Sequence, residues 1–250
     1  MNINIYKKEE INLLREAGFI LSTILENIAD IAKIPGTSTY NLEILAETLI
    51  KDYNVEPAFK GFKGYPNCLC VSINEEIIHG IPKKDKIIKK GDIVSLDLGI
   101  KYKGYYSDKA ITFIIGNRTK KIQRLVNTTL ESLFVALLEI YPGNYLSNVS
   151  NTIQTYLEKN GLFVIKSYAG HGIGKNLHED PLVPIHGIRD TGIILKEGMV
   201  FTLEPMATIG KTDIKILDDG WTVVSKDKKL SAHFEHTITV TKNGFEILTI

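Results

Sequence analysis

The sequence is poor in the residues that staple small extracellular folds. Two cysteines, Cys68 and Cys70, occur in 250 residues. They lie one residue apart, and on one strand face they would sit about 7 Å from each other, too far for an easy disulfide. A disulfide framework is therefore not expected, and a reducing, cytoplasmic setting is. Excess charge is lacking too. Thirty Lys and Arg against 29 Asp and Glu leave a net charge of +1, which gives no reason to expect nucleic acid or an anionic membrane as the main partner. Long apolar runs are also missing: nothing approaches the roughly 18 residues of a membrane span. The opening MNINIYKKEE puts charges where a signal peptide would need its apolar segment. No linker-like or low-complexity stretch divides the chain, so residues 1–250 are read as one domain. What remains is 44% hydrophobic and 24% charged, ordinary for a globular chain long enough to bury a sizeable core.

Within that composition the order of patterns is informative. Residues 8 to 32 carry a helical stripe of Ile11, Leu14, Ala17, Ile20, Leu21, Ile24 and Leu25, ended by Ile34-Pro35-Gly36. A second helix starts near Thr39. Short strands fill roughly 68 to 115, then a helix over 119 to 140 ends at Tyr141-Pro142-Gly143 and another runs to about Asn160. Helix, Pro-Gly, helix, strands therefore occurs twice, with the Pro-Gly pairs 107 residues apart. Leu42, Ala46 and Leu49 shift onto Val149, Ile153 and Tyr156, all apolar, and each half holds a His-Gly-Ile. The reading is an α+β fold of two pseudo-symmetric halves, about 1–116 and 117–250, with chemistry between them.

Four acids stand in strand-like surroundings. GDIVSLDLGIKYKGYYSDKAITFIIG reads as a hairpin turning at Tyr102-Lys103-Gly104, with Asp97 and Asp108 expected as directly opposed cross-strand partners about 5 Å apart. Facing carboxylates repel unless a cation or solvent sits between them, and the apolar neighbours Val94, Leu96, Leu98, Ile111 and Phe113 favour the cation. Glu204 precedes Pro205, where the chain stays extended. Glu235 shares a face with Thr237 and Thr239. Alone, each Glu reads as a solvated or salt-bridged residue. Together with His171, the four make an oxygen-rich set suited to two hard or borderline cations such as Mn, Fe, Co or Zn.

The run YAGHGIGKNLHEDP, residues 168 to 181, crowds His171 and His178 among three glycines. With the Asp97/Asp108 pair, FTLEPM and FEHT in this order, it resembles the methionine aminopeptidases, whose pita-bread fold is shared with proline peptidases and creatinases. The resemblance runs nearly the whole chain, to NGFEILT. The 25 residues between His178 and Glu204 leave no room for the insertion of the type II enzymes, so type I is implied. SINEEIIHGIP and DGWT favour methionine aminopeptidases over proline dipeptidases, the nearest rival. A metal-free binding module is the rival from another class.

The resemblance implies a curved antiparallel sheet and a two-metal site of Asp97, Asp108, His171, Glu204 and Glu235. It also implies removal of the N-terminal methionine of nascent polypeptides, with a small second residue preferred. A hydroxide held between the cations would attack, Glu204 would accept its proton, His178 would donate to the oxyanion, and His79 would assist proton transfer or bind near the scissile amide. Phe62, Tyr65, Cys70, Leu177 and Trp221 are expected around the Met side chain. Asn74 and Ser231 match a monovalent-cation site, and a monomer is the family expectation. Glycines in the motif would let the backbone pass close to metal and substrate, while Glu179 and Pro181 shape the loop. The chain departs from the family pattern at Leu177 (usually aromatic), Ile185 (usually polar), His233 (usually Gln) and Lys175 (usually Arg). The basic run Lys83 to Lys90 is read as a solvated connection, with docking near ribosomal RNA as the sharper alternative.

Overall fold

The computed structural model describes residues 2–117 and 119–250. Helix α1 (Lys8–Ala32) buries Leu14, Ala17, Leu21, Ile24, Leu25, Ile28 and Ala32, a stripe at the 3.6-residue period. Helix α2 (Thr39–Asp52) starts at Ser38, whose hydroxyl accepts from the Asn41 N–H at 3.2 Å. In the second half, α3 (Lys120–Leu137) is capped by Thr119, and α4 (Leu146–Lys159) packs against it. Among the described residues no helix is long and apolar enough to cross a membrane.

The first half pairs its strands antiparallel around Ile93–Tyr102, which is joined by Leu69–Ile73, Glu56–Pro57 and Tyr105–Ile114. The second half lays Gly244–Ile247, His236–Thr241, Val200–Leu203, Ala169–Gly172 and Glu179–Pro184 side by side, again antiparallel. Apolar side chains from α1 and α2 and their sheet form one buried cluster, and those of α3, α4 and the second sheet form another.

The two halves repeat in backbone detail. Gly36 N–H donates to Ile88 O at 2.8 Å, and Gly143 N–H donates to Leu195 O at 2.9 Å. Isolated bridges tie Ser38 to Ile87 and Tyr145 to Ile194. Every residue in the second of each pair lies 107 positions after its counterpart, as the Pro-Gly spacing implied. The same shift carries Asp97 onto Glu204.

At the junction, Ala110 and Glu235 form an antiparallel bridge, with Glu235 N–H donating to Ala110 O at 2.9 Å. Two threonines replace ladder bonds on either side of it. Thr237 Oγ1 donates to Asp108 O at 2.8 Å and accepts from Asp108 N–H at 3.1 Å. Thr112 Oγ1 does the same for His233, accepting from its N–H at 3.1 Å and donating to its carbonyl. This local two-fold arrangement makes Asp108 the counterpart of His233 and Ala110 the counterpart of Glu235.

One expectation is corrected. The hairpin turns on Lys103 and Gly104, with Tyr102 opposite Tyr105, so Asp97 faces Ala110 and Asp108 faces Gly99. Asp97 and Asp108 share a face as diagonal neighbours, not as direct partners. Both turn residues have positive φ, 47° and 87°, and that pattern defines the tight two-residue hairpin turn. The turn centre therefore falls one residue later than the sequence suggested.

Candidate active site

Asp97 lies mid-strand in Ile93–Tyr102, Asp108 on its hairpin partner, His171 in Ala169–Gly172, Glu204 just after Val200–Leu203, and Glu235 just before His236–Thr241. All five side chains border one cavity of about 280 Å³. Donor atoms of Asp108, His171 and Glu235 lie within 4.8 Å of one another. Asp97 Oδ1, Asp108 Oδ1 and Glu235 Oε1 are buried without a hydrogen-bond partner among the described residues.

Such a cluster is costly without a counter-charge. Burial lifts the Asp97 carboxyl to about 7, and burial with the charge of Asp97 lifts Glu204 to about 8. Asp108 and Glu235 are pushed well above the carboxylate range, by burial first and by the neighbouring carboxylates next. Orphaned anionic oxygens beside an imidazole fit a divalent cation. Zinc, manganese, iron and cobalt all accept this donor set.

His171 is prepared as a ligand by its own backbone. Its Nδ1 lies 2.9 Å from Gly172 O, so Nδ1 carries the proton and Nε2 presents a lone pair to the cavity. Burial and the neighbouring His178 hold its pKa near 3, which keeps it neutral. Its strand is positioned by Thr202, which accepts from His171 N–H at 3.0 Å and donates to Glu204 Oε1 at 3.0 Å. The motif's glycines serve strand packing more than access to the cavity. A Cβ on Gly172 would stand 2.2 Å from Asp180 O, and one on Gly174 would stand 2.0 Å from the Tyr6 hydroxyl. Glu179 holds that loop to the N-terminal segment, accepting from Tyr6 Oη at 2.7 Å and Asn4 Nδ2 at 2.8 Å.

His79, Phe62, Tyr65, Cys70, Leu177, His178 and Trp221 all line the same cavity. The Tyr65 and Trp221 rings meet edge to face at 5.1 Å, and Phe62 leans on His178 at 5.0 Å. His178 also packs on His171, with ring centroids 4.0 Å apart. His178 is exposed at the cavity mouth, and the partial enclosure of its ring, then the charge of Lys63, lowers its pKa; burial, then His178, lowers that of His79 to about 4. Phe59, Lys63, Ile78, Tyr168 and Ala169 complete the lining and were not anticipated. Tyr168 had a signal, because it opens the glycine-rich run and its ring stands edge-on to His79 at 5.7 Å.

The two cysteines part company. Cys70 lines the cavity opposite Asp97, whereas Cys68, ahead of the strand, is buried in the α1–α2 core. Glu43 fixes that point of the chain by accepting from the N–H groups of Cys68 and Leu69 at 2.7 and 3.0 Å. Both residues are free thiols. Ile185 is fully buried among apolar residues, so the usual polar contact there is replaced by packing. Lys175 pairs with Glu10 at 2.8 Å. In the basic run, Lys86 pairs with Glu76 and donates to Val71 O at 2.7 Å, and Lys83 reaches Asp219 at 3.1 Å. That run is therefore partly built into the fold instead of being uniformly solvated.

The profile of metallopeptidase family M24 matches residues 12–242. The chain belongs to this family. Its curated relatives include methionine aminopeptidase 1 of Bacillus subtilis, 46% identical over 96% of each chain. Methionine aminopeptidase of Escherichia coli K12 is 43% identical, over 100% of this chain and 95% of that one. Among solved structures, the methionine aminopeptidase of Thermotoga maritima superposes with a TM-score of 0.97 at 43% identity, covering 99% of both chains. Prolidase from Pyrococcus furiosus shares the fold at a TM-score of 0.76 and 26% identity, over 98% of this chain and 65% of that one. The pita-bread architecture, two pseudo-symmetric halves closing on one cavity, is the M24 architecture.

Proposed function

We propose that residues 1–250 form one catalytic unit, a type I methionine aminopeptidase that removes the N-terminal methionine of nascent polypeptides. The observation that carries this reading is a single cavity with two chemically distinct linings. Four buried carboxylates and His171 border one part of it, and Phe59, Phe62, Tyr65, Cys70, Leu177 and Trp221 supply an aromatic, sulfur-containing surface for a polarizable thioether. Homology of the full chain to methionine aminopeptidases supports it.

Asp97, Asp108, His171, Glu204 and Glu235 would hold two divalent cations, with Mn, Fe, Co and Zn as candidates. Bound there, such a cation polarises a peptide carbonyl and brings the pKa of water toward neutrality. His178, neutral at physiological pH, offers a ring N–H to the oxygen of the scissile carbonyl, where negative charge develops. Glu204 is the proton carrier. Its carboxylate borders the cavity beside His171, where it can take a proton from the attacking water and pass it to the leaving amine. His79, neutral and confined between Tyr168 and Trp221, orients the scissile amide.

The confined volume favours a small second residue. Asn74 O lies beside Ser231, whose N–H and Oγ donate to it at 2.9 and 3.1 Å, which supports a monovalent-cation position next to these groups. A cytoplasmic monomer acting on chains leaving the ribosome fits the activity. Docking through the exposed Lys84, Lys89 and Lys90 would be tested by ribosome co-sedimentation after charge reversal.

The deciding experiment measures methionine release from Met-Ala-Ser. Protein stripped with a chelator is given Mn, Fe, Co, Zn or Mg singly, with His171→Ala and the substrate Ala-Pro as controls. Release that returns with metal, fails in the variant and exceeds Ala-Pro cleavage is expected. No release from folded protein with any metal would overturn the reading.

A further inference from the structure

His233 is only 2% exposed, and neither ring nitrogen has a hydrogen-bond partner among the described residues. An imidazole in that condition is costly unless something completes it. Its Nε2 lies 3.9 Å from Glu204 Oε2. The other oxygen of that carboxylate, Oε1, accepts from Thr202 Oγ1 and stands 4.0 Å from His171 Nε2. Glu204 borders the cavity and His233 does not, so the carboxylate stands between the imidazole and the space where a cation would sit.

The two-fold relation at the junction strengthens this pairing. His233 occupies the place in the second half that Asp108 occupies in the first, each gripped at its backbone by a threonine hydroxyl. Asp108 is the neighbour of Asp97, and Glu204 is the counterpart of Asp97. Each half therefore sets a carboxylate on one strand beside a polar side chain on the next. In the first half both members face the cavity. In the second, the imidazole backs the carboxylate.

We propose that His233 is a positioning residue for Glu204: its Nε2–H donates to Glu204 Oε2 and fixes which carboxylate oxygen is offered to a divalent cation in the cavity. This rests on the metal-centre reading above. A donor behind a ligating carboxylate orients it and strengthens the site without touching the ion. At 3.9 Å the gap is about 1 Å beyond a hydrogen bond, and the proposal requires a side-chain rotation that closes it.

Calorimetric titration of Co(II) into chelator-stripped protein tests the proposal, with the visible Co(II) spectrum recorded in parallel. His233→Leu should weaken Co(II) binding about 10- to 100-fold. His233→Gln, whose amide can still donate, should restore affinity to within about threefold and keep the wild-type spectrum. In a Glu204→Gln background, His233→Leu should cost nothing further. If His233→Leu does not fold, His233→Met removes the donor at similar bulk. Wild-type affinity in the non-donating variant would overturn the proposal. So would a His233→Gln variant as weak as His233→Leu, because His233 would then be a ligand or a packing residue. Failure of the wild type itself to bind Co(II) would instead overturn the metal-centre reading.

Discussion

Removing metal should make this protein's stability depend on pH in a direction opposite to the usual one for carboxylates. In most proteins, paired Asp and Glu have lowered pKa values and stability is lost on acidification. Here Asp97 and Glu204 are raised, to about 7 and about 8, from ordinary values of 3.8 and 4.5. At these two groups the folded, metal-free protein holds protons that the unfolded chain releases. The histidines lowered to about 3 or 4 (His79, His171, His178, His233 and His236) act in the opposite sense until the unfolded chain's imidazoles are neutral, above about pH 6.5. Its stability therefore falls as pH rises from about 6.5 through about 8. From about pH 6.5 to 8, Glu204 alone corresponds to about 2 kcal/mol, at 1.36 kcal/mol for each pH unit. Asp97 acts in the same direction. For a chain of this length 1 kcal/mol moves Tm by about 2–4 °C, so Glu204 alone lowers Tm by about 4–8 °C.

A divalent cation reverses the sign locally, because it selects the ionised carboxylates. At a hundred times its Kd it adds about 2.7 kcal/mol, and its Kd tightens as protons leave. Scanning calorimetry of stripped and Mn-loaded protein between about pH 6.5 and pH 8.5 is the assay. The stripped protein should lose Tm across this range while the gap to the loaded protein widens. A stripped protein whose Tm rises with pH as steeply as the loaded one would refute the argument. The carboxylates would then not be held protonated by burial and mutual repulsion.

Three further outcomes follow from particular contacts. His178→Ala should lower kcat by about 10²- to 10³-fold with KM little altered, as expected for a donor used mainly in the transition state; steady-state kinetics on Met-Ala-Ser with saturating metal would check it. Trp221→Ala removes the ring that meets Tyr65 edge-on at 5.1 Å; kcat/KM for methionine substrates should fall about 10- to 200-fold while metal affinity, read calorimetrically, is unchanged. Glu179→Ala strands the buried Tyr6 hydroxyl and the Asn176 N–H, which donates to Glu179 at 2.9 Å; urea unfolding should show a loss of about 2–3 kcal/mol, and a loss below about 0.5 kcal/mol would contradict the anchoring role.

Much of this molecule is legible in its sequence because the patterns that carry it are local. The stripe Leu14, Ala17, Leu21, Leu25 names α1, and the two Pro-Gly pairs bound both helical pairs and reveal the repeat between the halves. The four acids stand out because each lies in a strand-like setting, while His171 comes from the glycine-rich run, and the resemblance to methionine aminopeptidases joins the five. Register was less accessible. Lys103 gives no sign that it will adopt positive φ, so the turn, and with it the relation of Asp97 to Asp108, was set one residue off. The anchoring of Cys68 and Leu69 by Glu43, and of Tyr6 by Glu179, joins segments 25 and 173 residues apart, for which no periodicity exists to read. Phe59 and Ala169 were missed for the same reason: nothing local distinguishes a cavity wall from core.

The position of the site follows from the repeat, and its chemistry follows from where the repeat is broken. The shift of 107 residues sets Asp97 and Glu204 in equivalent places, so two carboxylates meet across the junction as a consequence of symmetry. A fully symmetric junction would either double Glu235 or replace it with alanine. With a second Glu at position 110, a fifth carboxylate would face the first four, where burial first and mutual repulsion next already lift Asp108 and Glu235 far above their ordinary range. With alanine on both sides, the proposed metal centre would lose one of its donors. Ala110 opposite Glu235 is the intermediate solution: the small residue leaves space for the large one at the bridge. Asp108 opposite His233 breaks symmetry a second time, exchanging an anion that faces the cavity for a neutral donor behind Glu204. Both changes limit the negative charge in a buried space, and both leave the two halves chemically unequal. An asymmetric centre can bind a substrate in one direction, and under the proposed function that direction would set its side chain toward Trp221 and its scissile carbonyl toward His178, as an exopeptidase requires.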